Sequence, residues 1–453
     1  MLRLPWIGYR RILYSRDRNK IEKGNDRKMK KTIFALKGDV CYSKSLTELE
    51  TMEQGYLVCK DGVVQGVYRE LPEEFKSITV KDYGKNLIIP GLSDLHMHAP
   101  QYTYRGLHMD LELLEWLNQY TFPAEAKYEN PEYARKTYQG FVDRMVKSAT
   151  TRACIFGTIH VEATLILMEL LEKAGLHTMV GKVNMDRNSP DYLREKSVEQ
   201  AVADTRYWVQ EAQKRFQNTI PMLTPRFTPS CSDELMEELK KIQTEFQVPF
   251  QSHLSENRGE IAWVKDLCPY AEYYGQAYSH FGLFGGECPT VMAHCIYSCD
   301  EEIKEMKEKG VYIAHSPESN MNVVAGIAPI RKYLQEGLHV GLASDVAGGT
   351  TENLFTAMMH AIQVSKLRWR LVDDTLEPLT AAEVFYMATK GGGEFFGKVG
   401  SFEKGYEFDA VILDDSEIPN QEGLTIAERL ERFIYLNQEK DVKAKYVAGK
   451  QVL

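Results

Sequence analysis

Short alternating segments open and close the chain. In residues 32–85, stretches such as "TIFALKGDV" and "GYLVCKDG" alternate apolar and polar residues and break at glycine, which predicts half-buried β-strands. Residues 401–453 repeat this pattern in "FDAVILDD" and "KAKYVAGKQVL". We therefore expect the two flanks to pair in space as one small β-sandwich domain.

The middle of the chain, residues 86–400, follows another pattern. Apolar, strand-like runs recur between segments of helical periodicity such as "YARKTYQGFVDRMVKSA" and "DEEIKEMKEKG". The eight runs are "LIIPGLSDLHMH", "TTRACIFGTIH", "HTMVGKVNMD", "IPMLTPRF", "VPFQSHLSE", "TVMAHCI", "VYIAHSPESN" and "HVGLASDVA". Eight strand-then-helix units predict an α/β fold, a (β/α)8 barrel. Active sites of such barrels lie at the carboxyl ends of the strands, so the polar residues that end each run are the candidates.

Composition narrows the class of protein. The 453 residues, 43% of them hydrophobic, are ample for a large core, and the formal net charge of -9 gives no support for a nucleic-acid partner. No window approaches the roughly 20 apolar residues of a membrane helix. The eight cysteines, with no CxxC motif, indicate free thiols and a cytoplasmic location. Residues 1–31 are strongly basic; we expect a poorly ordered extension before a natural start near Met29, with a targeting arm as the alternative.

Histidines and carboxylates stand at several strand ends. His96 and His98, two residues apart on one strand, point to the same face and enter the barrel mouth together. Other strand ends supply His253 with Glu256 three residues later, His294 and Asp345. Each residue alone is commonly structural, since an aspartate after a strand is often a helix cap. Three imidazoles and one carboxylate from this set would favour zinc, with iron or manganese as alternatives.

Several motifs carry a resemblance to a known family. They are "PGLSDLHMHAPQY", "LLEWLNQYTFPAE", "GKVNMD", "TPRFTPSCS", "QSHLSENRGE" and "SDVAGG". The chain resembles the amidohydrolase superfamily, and within it the guanine deaminases, over nearly everything after residue 31. It departs from the family pattern in "AHSPESN", at Ser316 and Glu318, and at Ser344, where threonine is more usual. None of these positions is a proposed ligand.

The resemblance implies hydrolytic deamination of guanine to xanthine and ammonia by a homodimer. It implies one Zn2+ per chain, or Fe2+, because the fourth strand has no lysine that would bridge a second metal. The implied metal ligands are His96, His98, His253 and Asp345. The implied catalytic residues are Glu256 as proton shuttle, His294 as partner of the attacking oxygen, and Asp345 as acceptor of the water's proton. The implied guanine contacts are His98, Gln101, Arg226, Phe227, His253, Glu256 and Asp345.

Alternative functions remain open at this point. Another superfamily deaminase or chlorohydrolase would act on a different purine, a pterin or a triazine; Gln101, Arg226 and Phe227 argue against a triazine. A catalytically silent scaffold of the same fold is the alternative from another class, and the complete ligand set argues against it. His160-Val161-Glu162 matches the HxE of another deaminase fold, but the PCxxC that would complete that zinc site is absent. We therefore expect His160 to be a supporting or core residue.

Overall fold

The computed structural model describes residues 32–419 and 422–453; the expected basic extension, residues 1–31, lies outside the described residues. The strands are β1 (Ile33–Ser43), β2 (Leu49–Lys60), β3 (Val63–Tyr68), β4 (Thr79–Pro90), β5 (Leu92–His98), β6 (Thr150–Phe156), β7 (His177–Gly181), β8 (Val183–Asn184), β9 (Thr219–Pro221), β10 (Thr224–Pro225), β11 (Phe250–Leu254), β12 (Thr290–His294), β13 (Tyr312–His315), β14 (His339–Leu342), β15 (Ala410–Leu413), β16 (Val442–Val447) and β17 (Lys450–Gln451).

Helices follow most barrel strands, and several begin at a residue whose side-chain oxygen accepts main-chain N–H groups, such as Asn130, Ser197 and Ser232. The helices are α1 (Leu113–Trp116), α2 (Phe122–Ala126), α3 (Pro131–Lys147), α4 (Val161–Ala174), α5 (Val198–Arg215), α6 (Asp233–Phe246), α7 (Arg258–Leu267), α8 (Gln276–Ser279), α9 (Asp300–Lys309), α10 (Pro317–Asn322), α11 (Ile330–Glu336), α12 (Leu354–Leu371), α13 (Ala381–Tyr386) and α14 (Ile426–Leu436). Among the described residues, no helix is both long and apolar enough to cross a membrane.

The barrel is a ring of parallel strands. Its two four-stranded sheets run in the orders β5-β6-β7-β9 and β11-β12-β13-β14. Main-chain hydrogen bonds join the sheets at both edges, from Gln251 N to Leu223 O at 3.0 Å and from Asp345 N to His96 O at 2.9 Å. The predicted (β/α)8 barrel is confirmed, and the second of these bonds brings the last strand beside the histidines of the first.

The two flanks of the chain form one sheet beside the barrel. Its order is β17-β16-β15-β4-β1-β2-β3, so the strand β4 from the first flank pairs directly with β15 from the second. Phe34, Phe408 and Tyr446 pack together in its core, with the rings of Phe34 and Phe408 centred 5.4 Å apart. The predicted pairing of the β-rich flanks is confirmed.

A single glycine connects this sheet to the first strand of the barrel. Gly91 separates β4 from β5, and a Cβ built on it would lie 2.2 Å from the hydroxyl oxygen of Thr151. Only glycine allows this close approach of backbone and neighbouring side chain. The "PG" before the two histidines thus sets where the first barrel strand starts.

Buried polar contacts fix the sheet to the barrel. Arg152 in β6 donates to both carboxylate oxygens of Asp409, from Nε at 2.6 Å and from Nη2 at 2.9 Å. Its Nη1 lies 2.8 Å from Nδ1 of His177. Lys445 in β16 is buried and donates to three barrel carbonyl oxygens, of Met145, Ser148 and Thr150. This satisfied network holds the two units in one arrangement.

Candidate active site

The polar residues that end the barrel strands come together in the structure. His96 and His98 lie in β5, His253 in β11, His294 ends β12, and Asp345 follows β14. His294 and Asp345 have φ angles of 73° and 47°, in the left-handed region that is uncommon for such residues. These turns take the chain sharply off the strand ends and direct both side chains into the barrel mouth. Strain of this kind is characteristic of functional sites.

Four imidazoles and a carboxylate converge at this point. Nε2 of His98 and Nε2 of His253 are 3.3 Å apart. Asp345 Oδ1 lies 3.1 Å from Nε2 of His96 and 3.6 Å from Nε2 of His98, and Asp345 Oδ2 lies 3.7 Å from Nε2 of His294. All five side chains are buried. The potential ligand atoms of His96, His98 and His253 lie within 4.8 Å of one another, as do those of His96, His294 and Asp345.

Hydrogen bonds fix the tautomers of two of these imidazoles. Nδ1 of His253 lies 2.6 Å from the carbonyl oxygen of Arg226, which can only accept, so this nitrogen carries the proton. Nδ1 of His294 is held in the same way, 2.8 Å from Oδ1 of Asn320. In both rings Nδ1 is thus occupied by a hydrogen bond, and Nε2 is the nitrogen that faces the centre of the site, as metal ligation requires.

Burial and charge separate the protonation states in the cluster. Burial, with the nearby His96, lowers the pKa of His98 and of His253 well below the usual range, so both stay neutral. Burial alone would raise the pKa of Asp345, but the surrounding His96, His294 and His98 lower it below its usual value. The result is that the imidazoles of His98 and His253 are neutral beside one ionised carboxylate. Such a set presents lone pairs and negative charge, which a divalent cation neutralises.

Phe156 packs against this cluster from the end of β6. Its buried ring is centred 4.9 Å from the imidazole of His96, 4.5 Å from that of His98 and 5.0 Å from that of His253. These contacts restrict the rotamers of three imidazoles at once. The sequence analysis did not single out Phe156, since an apolar residue ending an apolar run carries no signal of its own.

Glu256 faces the same centre. It is 4% exposed, and its Oε2 lies 3.5 Å from Nε2 of His294. Burial, followed by the charges of Glu260 and Asp345, raises the pKa of Glu256 well above its usual value. By their position before the helix α7, Glu256 or Ser255 could serve as its cap. In the structure the cap is Asn257, in a capping box with Glu260, and the Ser255 hydroxyl donates to Glu302. The Glu256 side chain is thus not used as a cap.

A cavity opens in front of these groups. Gln101, Arg226 and Phe227 line it together with the polar cluster. Arg226 and Phe227 both lie beyond the fourth strand, since β10 ends at Pro225. Both can therefore face the cavity, although neighbouring residues within a strand point to opposite faces.

A carboxylate that the sequence analysis did not single out connects two of these residues. Glu125 of α2, which is 1% exposed, accepts from Nε2 of Gln101 at 2.9 Å and from Nη1 of Arg226 at 2.7 Å. Glu125 lies inside the quoted motif "TFPAE", which was the available signal. Asn320 was missed in the same way inside "AHSPESN".

Other polar residues near the barrel mouth have structural surroundings. His160 is the N-cap residue of α4 and belongs to neither candidate metal group. Lys182, on the third strand, pairs with the buried Glu195. Glu318, one of the departures from the family pattern, accepts from the hydroxyl of Thr350.

The geometry brings a histidine–aspartate cluster, an acidic residue and a lined cavity to one barrel mouth, and comparison with known proteins agrees. Residues 87–452 match the model of the amidohydrolase family. The chain belongs to the amidohydrolase family.

This chain is similar to several guanine deaminases. It is 36% identical to guanine deaminase from Dictyostelium discoideum over 450 residues, which is 94% of this chain and 99% of that protein. It is 39% identical to guanine deaminase from Mus musculus over 84% of this chain and 86% of that one. A crystal structure of guanine deaminase from C. acetobutylicum with guanine bound in its active site has a TM-score of 0.91 and 45% identity, covering 93% of this chain and 100% of that one.

Proposed function

We propose that this amidohydrolase hydrolyses guanine to xanthine and ammonia. The observation that carries the proposal is the set of groups that line one cavity. A histidine–aspartate cluster and Glu256, whose pKa is raised, lie beside the amide of Gln101 and the guanidinium of Arg226, which suit a purine edge. The named relatives, full-length matches of the chain, support the same substrate. The alternative substrates, other purines, pterins and triazines, have no comparable support.

One divalent metal, most suitably zinc, fits the donor set. Nε2 of His98 and Nε2 of His253 lie 3.3 Å apart, and Asp345 Oδ1 lies 3.1 Å from Nε2 of His96 and 3.6 Å from Nε2 of His98. We assign the metal to His96, His98, His253 and Asp345, because nitrogen and carboxylate ligands in this number suit zinc, with iron as the alternative. When bound, the metal supplies a water whose pKa is low enough for it to attack as hydroxide at neutral pH.

Asp345 and His294 handle the attacking water. The carboxylate of Asp345, with its lowered pKa, accepts a proton from that water. Nε2 of His294, whose Nδ1 donates to Asn320, accepts a hydrogen bond from the water and so directs the oxygen toward C2 of guanine. Once the oxygen has added to C2, its remaining proton passes to Nε2 of His294, which then donates a hydrogen bond to the oxyanion and stabilises the tetrahedral adduct.

Glu256 delivers the protons that the leaving group needs. Its raised pKa keeps it a neutral acid, able to protonate the ring nitrogen beside C2 as the water attacks. It then receives the proton held by Asp345 and passes it to the amino group at C2. The C2–N bond breaks, ammonia leaves, and xanthine remains. The proton held by His294 returns to Glu256, whose Oε2 lies 3.5 Å from Nε2 of His294, and restores the neutral acid. The balance is one guanine and one water to one xanthine and one ammonia.

Recognition of the purine rests on Gln101, Arg226 and Phe227. Arg226 donates to the carbonyl oxygen at C6, Gln101 offers both a donor and an acceptor, and Phe227 packs on the ring. Adenine places an amino group where guanine has that oxygen, so the guanidinium would face another donor. A site built in this way discriminates by a factor on the order of 10⁴.

Three further expectations belong to this proposal. We propose that the enzyme is a cytoplasmic homodimer in purine catabolism. We also keep the domain division of residues 32–85 and 401–453 as one β-rich unit and residues 86–400 as the catalytic barrel. Light scattering coupled to gel filtration tests the dimer, and limited proteolysis tests the division.

The experiment for the main proposal is an assay of the purified protein with parallel measurement of bound metal. Guanine loss is followed by ultraviolet absorbance and ammonia release, with adenine, cytosine and a pterin as comparison substrates. The expected result is one metal per chain and turnover of guanine alone. Turnover of another ring with guanine untouched would overturn the substrate; a metal-free, inactive protein would support the silent scaffold instead.

A further inference from the structure

The carboxylate of Glu125 connects Gln101 and Arg226, the two polar residues that we propose to recognise the purine. One oxygen of this carboxylate accepts a hydrogen bond from Gln101 and the other accepts one from Arg226. All three residues are buried: Glu125 is 1% exposed, Gln101 2% and Arg226 3%. Helix α2 makes a second contact with the guanidinium of Arg226, a cation–π contact in which the ring of Phe122 is centred 5.1 Å from Cζ of Arg226. Phe122 and Glu125 are three residues apart and so lie on one helix face.

We infer that Glu125 is a positioning residue that sets which donors and acceptors the cavity presents to guanine. The inference deepens the proposed function and rests on it. Glu125 has no role in the chemistry at C2; it acts through Gln101 and Arg226, and its effect is on which purine is accepted.

The orientation of the Gln101 amide follows from its two partners. An ionised carboxylate only accepts hydrogen bonds, so the Gln101 nitrogen must face Glu125. The Gln101 oxygen then accepts from the main-chain N–H of Ala347 at 3.2 Å. With both ends fixed, the amide cannot flip without placing donor against donor and acceptor against acceptor. What remains for a ligand is one N–H and one lone pair in a single, defined order.

The guanidinium of Arg226 is held by the same carboxylate. A guanidinium has five N–H donors, and Glu125 accepts from Nη1, so donors remain for the C6 oxygen of guanine. Glu125 also balances the buried positive charge, which would otherwise be strongly unfavourable. Glu125 therefore fixes the direction in which the Arg226 guanidinium points and also balances its charge, and the contact to the C6 oxygen depends on both.

Glu125→Gln is the informative substitution. A glutamine has the same shape but accepts on one side and donates on the other. If its oxygen keeps the stronger contact to Arg226, its amide nitrogen faces the nitrogen of Gln101, and the Gln101 amide flips or moves away. The cavity then presents the wrong order of donor and acceptor to guanine.

The test compares guanine with 2-aminopurine, which has the same amino group at C2 but no oxygen at C6. Both are assayed as kcat/KM with the metal-loaded enzyme. The matched control is Glu115→Gln, an exposed glutamate ten residues earlier whose contact is the surface residue Gln119. In Glu125→Gln we expect kcat/KM for guanine to fall by about 100-fold, mainly through KM, and the preference for guanine over 2-aminopurine to fall at least about 10-fold. The control should change neither.

A merely structural role would lower the rates for both purines alike and leave their ratio unchanged, which would overturn the inference. If Glu125→Gln does not fold, as judged by circular dichroism, Glu125→Asp keeps the buried charge on a shorter side chain that cannot reach both partners, and the same ratio is read there. Failure of the proposed function is seen separately, because wild-type protein would then not deaminate guanine at all.

Discussion

The imidazole of His253 donates its Nδ1–H to the carbonyl oxygen of Arg226 across 2.6 Å. This bond joins a proposed metal ligand to the residue proposed to bind the C6 oxygen of guanine. It fixes the His253 tautomer and, at the same time, the main chain from which the Arg226 side chain extends. Metal binding and purine recognition are thus built on neighbouring strands that constrain each other.

Loss of the His253 ligand should release the metal. In His253→Gln we expect bound zinc, measured by mass spectrometry after extensive dialysis, to fall at least about 10-fold in occupancy from about one per chain, since four protein ligands become three. His160→Gln is the control, because His160 is the N-cap residue of α4, just after β6, and belongs to neither candidate metal group. Full zinc occupancy in His253→Gln would contradict the assignment.

Asn320 should matter for rate more than for binding. Its Oδ1 accepts from Nδ1 of His294, so Asn320→Leu frees His294 to adopt the other tautomer. We expect kcat to fall by about 10- to 100-fold with KM little changed. Asn320→Asp still offers an acceptor to Nδ1 and should retain more activity than the leucine variant. Equal losses in the two variants would mean that the hydrogen bond to His294 does not matter.

Much of the site could be predicted from the sequence, because the active sites of such barrels lie at the carboxyl ends of the strands. Alternation along β5 places His96 and His98 on one face, and parallel strands bring His253, His294 and Asp345 to the same rim. These arguments need only local periodicity and the barrel topology. The pairing of the two flanks was predictable for a similar reason, because both flanks show the same alternation of apolar and polar residues.

Residues that act on other side chains were not predictable. Phe156 is an ordinary core residue by pattern, and only the structure shows it against three imidazoles. Glu125 is 101 positions from Arg226 along the chain, so no spacing rule relates them. Asn257, not Ser255, caps α7, because a cap is chosen by the local φ and ψ angles, and Ser255 has a φ of 49°.

Removal of the Glu256 carboxyl group should abolish turnover and spare the metal. Glu256→Gln cannot move protons but keeps nearly the same shape, so we expect kcat to fall by roughly 10³-fold, within the range for general acid–base residues. Zinc content and the affinity for the product xanthine, measured by calorimetry, should stay within about 3-fold of wild type. A variant that retained substantial activity would place the proton shuttle on another residue.

His177, far from the site, should make the stability of the fold depend on pH. Burial, and then the charge of Arg152, lowers the pKa of His177 to about 3, which agrees with its Nδ1 accepting from Arg152 Nη1. In the unfolded chain an ordinary histidine has a pKa of about 6.5. Between these two values the unfolded chain binds a proton that the folded protein does not, so stability falls as the pH falls below 6.5.

The corresponding measurement is urea unfolding at pH 7.5 and at pH 5.0 for wild type and for His177→Gln, whose side-chain oxygen can still accept from Arg152. Below pH 6.5 the free energy of unfolding changes by at most about 1.4 kcal/mol per pH unit for one such histidine. Between pH 7.5 and pH 5.0, wild type should therefore lose about 2 kcal/mol more of its free energy of unfolding than the variant. Metal release at low pH affects both proteins alike and cancels in the difference. His280→Gln, at an exposed histidine, should behave like wild type. Parallel pH dependence in wild type and His177→Gln would mean that His177 is protonated in the folded protein, beside the Arg152 guanidinium.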